Sequence, residues 1–333
     1  MSQEDTPSPP RGPSRARWPL PRLSRRTALE LAGAALVGGT LGRLVSVFTY
    51  HPARFIYRGH LGAFDGIEAL AWSPNNQRVA SGAGGGNMQA WDALTGAHVQ
   101  TFPSDWGIQA VAWSPNGRYL AAGDAVGVAV VWETATGEKL LTYRGHVDRT
   151  SPGGSGTRTV LGQPRVTPRA RWSQDGGLND LAWSPDGSRL LSTGPDFHIH
   201  VWEPLTGHTL WALDADLDYP GWSPDGRLIA GVAFNGVGFL DAATGQTADI
   251  PDITFDASKD LVVLNSLAWS PNGRYLAAPG YPIGGSYLVY VWEAATGRTV
   301  QVYRGHTGEA RAVAWSPNST YLASAGADMT VRV

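Results

Sequence analysis

Asp196, His198 and His200 stand at alternate positions in the middle of the chain. On a strand, a period of two puts all three on one face, a spacing at which nitrogen and oxygen donors can share a metal ion. A strand packed on both faces has an equally good structural use for such a trio. No metal is therefore expected. Gly82–Gly86 is glycine-rich, but no helix and no Gly-Lys-Ser/Thr follows it, and a phosphate loop needs both. It reads as a turn. The chain has no cysteine, which excludes disulfides, a thiol nucleophile and cysteine-ligated metals. Lys139 and Lys259 are its only lysines, and it contains neither a Gly-x-Ser-x-Gly elbow nor His-Glu-x-x-His. No catalytic residue and no cofactor is expected. The most individual feature is a Gly/Pro/Arg-rich insert over 149–177, with Arg149, Arg158, Arg165, Arg169 and Arg171. Long loops are often functional, and this one is a candidate partner-binding loop.

The elements that would position these residues are short. Gly 42, Pro 23 and Trp 14 in 333 residues suit brief strands joined by tight turns. The net charge of −2 gives no basic footprint, so no nucleic-acid partner is expected. Charge is unevenly placed. Residues 1–50 carry seven arginines against Glu4, Asp5 and Glu30, a balance of +4, so the rest of the chain is −6. Residues 1–23 lack apolar periodicity and read as disordered. Arg25-Arg26 then precedes the apolar run Leu31–Gly42, expected to be a short helix. A basic stretch before an apolar run is the layout of an export signal, and the arginine pair resembles the twin-arginine class used by bacteria. Ala28 and Glu30 depart from that pattern. An uncleaved anchor over 27–50 is the second reading, with Glu30 and Arg43 as costly interruptions. Both put the following domain outside the cytoplasm. The remaining reading is a cytoplasmic protein with a basic tail.

An internal repeat fixes the architecture. Ala-Trp-Ser-Pro-Asn/Asp recurs at Trp72, Trp113, Trp183, Trp269 and Trp315, with a glycine variant at Trp222. Apart from the interval holding the insert, the spacing is 39 to 47 residues, the size of one propeller blade. A second tryptophan follows 19 residues after the first at Trp91, Trp132 and Trp202, and 23 after it at Trp292, where Pro279–Ser286 reads as a lengthened loop. In the fourth repeat Phe239-Leu240-Asp241 replaces it.

With Gly-His before the first strand, a Ser-Pro-Asn/Asp-Gly turn and a closing Trp-Asp/Glu, these blocks resemble WD repeats. The resemblance covers about 53–333 and implies an all-β, six-bladed propeller after a separate 1–52 tail. It implies a structural hydrogen-bond set in each complete blade: His146, Ser192, Asp196 and Trp202 in the third, and His306, Ser324 and Asp328 in the sixth. Tyr-Arg-Gly-His occurs at Tyr57–His60, Tyr143–His146 and Tyr303–His306. The first copy lacks a repeat before it, so Arg54–Tyr57 is expected to supply the sixth blade's outer strand, closing the ring. The function implied is a non-catalytic, monomeric scaffold that binds a protein or peptide through its loops. The alternative is an exported TolB-like propeller, or a propeller enzyme working at the central channel.

Overall fold

In the computed structural model the described residues are 57, 59–60, 66–147, 177–178, 180–194, 196, 198–214, 217–233, 236–255, 262–282 and 285–333. The tail and apolar run, Arg54–Ile56 and the insert from 149 to 176 lie outside them. What is described is all β. None of its helices is long and apolar enough to cross a membrane, for none is present.

Six antiparallel sheets follow one another along the chain, each an up-and-down meander. The first runs Ile67–Trp72, Arg78–Ala83, Met88–Asp92, Gln100–Phe102, and the second Ile108–Trp113, Tyr119–Asp124, Ala129–Glu133, Lys139–Tyr143. The third is Asp180–Trp183, Leu190–Thr193, Ile199–Trp202, Thr209–Leu213; the fourth is Asp218–Trp222, Leu228–Ala233, Gly236–Asp241, Ile253–Thr254. In the fifth the inner strand is split into Val262–Leu264 and Ala268–Trp269, followed by Tyr275–Pro282, Leu288–Glu293 and Thr299–Tyr303. The sixth shows Ala310–Trp315, Leu322–Gly326 and Val331–Arg332. Here the expectation of a loop over Pro279–Ser286 is corrected in part. Pro279–Pro282 continues the strand, because Val262–Leu264 pairs with it and the Pro279 carbonyl accepts the Asn265 N–H at 3.0 Å. A proline without an N–H still offers that acceptor.

The repeated turn explains itself atom by atom. In all six copies the serine after the tryptophan donates its hydroxyl to the Asn or Asp two residues on, at 2.6–2.8 Å. The same oxygen accepts the backbone N–H five residues on, at 2.8–2.9 Å. The residue after the Asn or Asp is left-handed: φ is +70° at Gly117 and +74° at Gly187, with Asn76 and Ser319 tolerated at +57° and +58°. Glycine pays no steric cost there.

Packing repeats as well. Each inner-strand indole reaches back to the preceding sheet. Trp113, Trp183, Trp222, Trp269 and Trp315 donate to the carbonyls of Ala71, Ala112, Ala182, Gly221 and Ala268, at 3.1–3.2 Å. Five apolar clusters lie between successive sheets, such as Met88, Phe102, Ile108, Leu120 and Trp132 between the first and second. A small sheet hides its faces only against its neighbours, which is how a blade is stabilised. Among the described residues no such indole bond leaves Trp72, and no such cluster joins the sixth sheet to the first.

Candidate functional site

Topology divides the loops between two faces. The Ser-Pro turns and the Thr-Gly turns leave by one end of every sheet. The connections between sheets, and the hairpins joining second to third strands, leave by the other. That second face carries His60, His146, His306, Asp196 and Asp328, together with Val147 and Gly177, which flank the basic insert.

Tyr-Arg-Gly-His is built around a folded-back phenol. A Cβ on Gly59, Gly145 or Gly305 would overlap the hydroxyl of Tyr57, Tyr143 or Tyr303. The turn delivers the histidine onto the next sheet, and glycine again makes room: a Cβ at Gly194 would sit 2.7 Å from the His146 ring, and one at Gly326 2.9 Å from that of His306. The tyrosine ring lies on the third strand, where Tyr143 stacks on Trp202 at 4.1 Å and Tyr57 on Trp91 at 4.4 Å.

The third sheet brings its expected four residues together. Trp202 donates its indole N–H to Ser192 Oγ at 3.0 Å, and Ser192 Oγ lies 2.8 Å from His146 Nε2. His146 Nδ1 lies 2.7 Å from Asp196 Oδ1. The Asp196 carboxylate can only accept, so the neutral imidazole carries its proton on Nδ1 and Nε2 accepts the serine proton, while the serine oxygen accepts the indole. The set is closed to solvent. Burial lowers the His146 pKa, with the Asp196 hydrogen bond opposing that in part. At Asp196 burial raises the pKa, but the His146 hydrogen bond and the His200 ring standing 3.1 Å away outweigh it and hold the carboxyl well below its ordinary value.

The sixth sheet holds His306, Ser324 and Asp328 in the same way, with His306 Nε2 2.8 Å from Ser324 Oγ and Nδ1 2.9 Å from Asp328 Oδ2. Among the described residues no tryptophan joins this set. Asp328 is likewise held low, by the Thr307 N–H, Thr330 and His306 acting against burial. The first sheet has a reduced version that sequence reasoning missed: His60 Nε2 is 2.7 Å from Ser81 Oγ, which also accepts the Trp91 indole at 3.2 Å. Gly59-His60 was the available signal, and no aspartate follows Ser81 at the third sheet's spacing. His200 was also unassigned. Its Nδ1 meets Tyr143 Oη at 2.7 Å, and that phenol, whose pKa burial pushes up to about 12, also meets Thr209 Oγ1 at 2.8 Å.

The other second tryptophans, Trp132 and Trp292, are fully buried. On the loop from the first sheet to the second, Trp106 is 55% exposed. It shares the face of the histidines. Arg25, Arg26 and the arginines Arg149, Arg158, Arg165, Arg169 and Arg171 lie outside the described residues.

The family model of the WD domain, G-beta repeat, matches residues 52–92, 96–132, 167–203 and 297–333. These four segments are similar to WD40 repeats. Between 204 and 296 the fourth and fifth sheets continue the architecture without a match, and the fourth has lost its closing tryptophan. A solved structure, the β-propeller domain of Cps50 (Swd1) from Myceliophteria thermophila, superposes with a TM-score of 0.58 at 18% identity, covering 79% of this chain and 81% of that one. At that identity the likeness shows the fold alone. The repeat matches support a likeness to the WD-repeat family, and the solved neighbour supports the propeller fold. No curated protein matches the chain significantly.

Proposed function

We propose that this WD-repeat chain is a non-catalytic scaffold that binds a protein or peptide on the loop face carrying Trp106 and the basic insert. One observation carries the reading. The residues that could do acid–base work, His146 with Asp196 and His306 with Asp328, have their facing atoms committed to bonds that tie inter-sheet connections to hairpins. What they produce is a rigid rim. Rigid loops lower the ordering cost of binding, and an exposed tryptophan is the residue type most often dominant in an interface. The insert adds five arginines on a chain whose remainder is acidic, so the partner surface is expected to be acidic.

The twin-arginine layout of Arg25-Arg26 before the apolar run supports export or anchoring through 27–50, with the propeller outside the cytoplasm. Crosslinking in cells, comparing the full chain with Trp106→Ala and with Arg158, Arg165 and Arg169 changed to Glu, tests the binding face. A shared set of neighbours lost in either variant is expected. An unchanged set in both would refute the assignment, and fractionation of the same cells reads the compartment.

A further inference from the structure

The third and sixth sheets build the same set around their aspartates but surround it differently. In the sixth, Asp328 uses both oxygens. Oδ2 takes His306 and the Thr307 N–H at 3.0 Å, while Oδ1 takes the Thr330 N–H at 3.1 Å and its hydroxyl at 2.8 Å. The Arg332 guanidinium stands 3.6 Å from Oδ2. In the third sheet His198 occupies the place of Thr330, and His200 that of Arg332. Asp196 Oδ1 still has His146 and the His198 N–H, at 2.7 and 3.2 Å. Oδ2, however, is buried with no hydrogen-bond partner. His200 Nε2 faces it at 3.1 Å, and this atom too is buried without the alignment of a hydrogen bond. Buried polar atoms are rarely left so, and two facing each other call for an explanation.

The geometry points to a divalent transition-metal site formed by His146 Nδ1, the Asp196 carboxylate and His200 Nε2, with zinc the ion that fits best. The three donor atoms lie within 4.8 Å of one another. Two imidazoles and a carboxylate are a donor set suited to zinc. Zinc–nitrogen bonds of about 2.0–2.1 Å in a tetrahedron separate the donors by roughly 3.4 Å. The carboxylate-to-imidazole gaps are 2.7 Å to His146 and 3.1 Å to His200, and the two rings stack face to face with centroids 3.9 Å apart and planes 22° from parallel, so binding requires one ring to turn until both nitrogens point at the ion.

Each ring also has its far nitrogen anchored, Nε2 of His146 at Ser192 Oγ and Nδ1 of His200 at Tyr143 Oη. Outer hydrogen bonds of this kind fix ligating imidazoles. The ion displaces the proton that His146 Nδ1 gives to Asp196, which leaves to solvent while Nε2 takes one to donate to Ser192. His198, its side chain 21% exposed and its Nδ1 3.8 Å from Oδ2, borders the site on the solvent side. The sixth sheet meets the same carboxylate with a guanidinium; the third meets it with a metal.

The test uses the full chain without a histidine tag, stripped with chelator. Zinc is titrated calorimetrically and the bound metal counted by mass spectrometry, with magnesium as control. About one zinc per chain is expected, as for a three-ligand protein site with one further position. His200→Arg copies the sixth sheet, and His200→Gln copies Gln89, which meets the Tyr57 hydroxyl at 2.9 Å in the first. Both should lose zinc affinity by at least tenfold while the stripped proteins keep the wild-type melting temperature to within a few degrees. Cobalt in the wild type should give the visible bands of a tetrahedral ion, a readout that needs no variant. Failure of the wild type to retain zinc, retention undiminished in both variants, or an octahedral cobalt spectrum overturns the assignment and leaves His200 as the counterpart of Arg332.

Discussion

Removing one hydroxyl from the third sheet should cost more than removing the equivalent hydroxyl from either of the other two sheets that hold it. Ser192 is fully buried and stands between two groups, 2.8 Å from His146 Nε2 and 3.0 Å from the Trp202 indole nitrogen. Ser192→Ala leaves an acceptor and a donor without partners, neither reachable by water, because His146 and Trp202 are themselves buried. Each orphaned group costs about 1–3 kcal/mol, and with some relaxation the pair should cost about 2–4 kcal/mol. In the sixth sheet Ser324→Ala orphans His306 Nε2 alone, for about 1–2 kcal/mol. In the first, His60 and Trp91 are only partly buried, so water replaces Ser81 and the loss is held under about 1 kcal/mol. Urea unfolding followed by tryptophan fluorescence reads the three midpoints, at unchanged slope. The predicted order is Ser192, Ser324, Ser81. Three equal losses, or a Ser192→Ala loss below about 0.5 kcal/mol, would show that the hydroxyl is a spectator and that burial of the rings alone holds the loops.

Trp222→Phe removes the indole bond to the Ala182 carbonyl while keeping most of the packing, and should lower stability by about 1 kcal/mol in the same urea assay. Acid should unfold the protein in two stages. The His146 pKa lies below its ordinary 6.5, so its contribution is complete above that pH and is lost as pH falls and the unfolded chain takes up the proton. Asp196 and Asp328 lie below 3.8, so their contribution is complete above 3.8 and is lost as acid carries them through their lower folded values. Asp328→Asn should flatten the lower stage. Asp180 slopes the other way: burial and the neighbouring Asp218 push its carboxyl up to about 7, so Asp180→Asn should stabilise the protein at pH 8 and give nothing at pH 4. The residue as a whole keeps some exposure although its carboxyl is enclosed, which puts the gain near about 1–2 kcal/mol rather than the full shift.

The turns were legible in the sequence because each is local. Ser, Pro, Asn/Asp and Gly close their hydrogen bonds within five residues, so their order alone predicts the geometry. The third-sheet set was legible through the family resemblance, although the long insert stands between His146 and its partners. Which atoms of Asp196 and His200 would be left unsatisfied was not legible. That depends on two ring orientations set by Tyr143 and Ser192, more than forty residues from one another. The continuation of the strand through Pro279–Pro282 was hidden for a related reason: proline reads locally as a breaker, while its pairing partner, Val262–Leu264, belongs to the strand before.

A frame that solves the same burial problem in every sheet gives its repeated residues little to say about purpose. The informative positions are those where a sheet abandons the common solution and something else must balance the loss. The fourth sheet shows this in its simplest form. Gly231 takes the place of Ser192 and Leu240 that of Trp202, so the hydroxyl and the indole vanish together and no buried polar group is stranded. The third sheet does the opposite. It keeps the whole set, exchanges the residues around the aspartate for two histidines, and strands one oxygen and one nitrogen against each other. A loss balanced within the sheet is drift that the fold tolerates; an imbalance in which two unpaired buried atoms face each other 3.1 Å apart calls for something that arrives from outside.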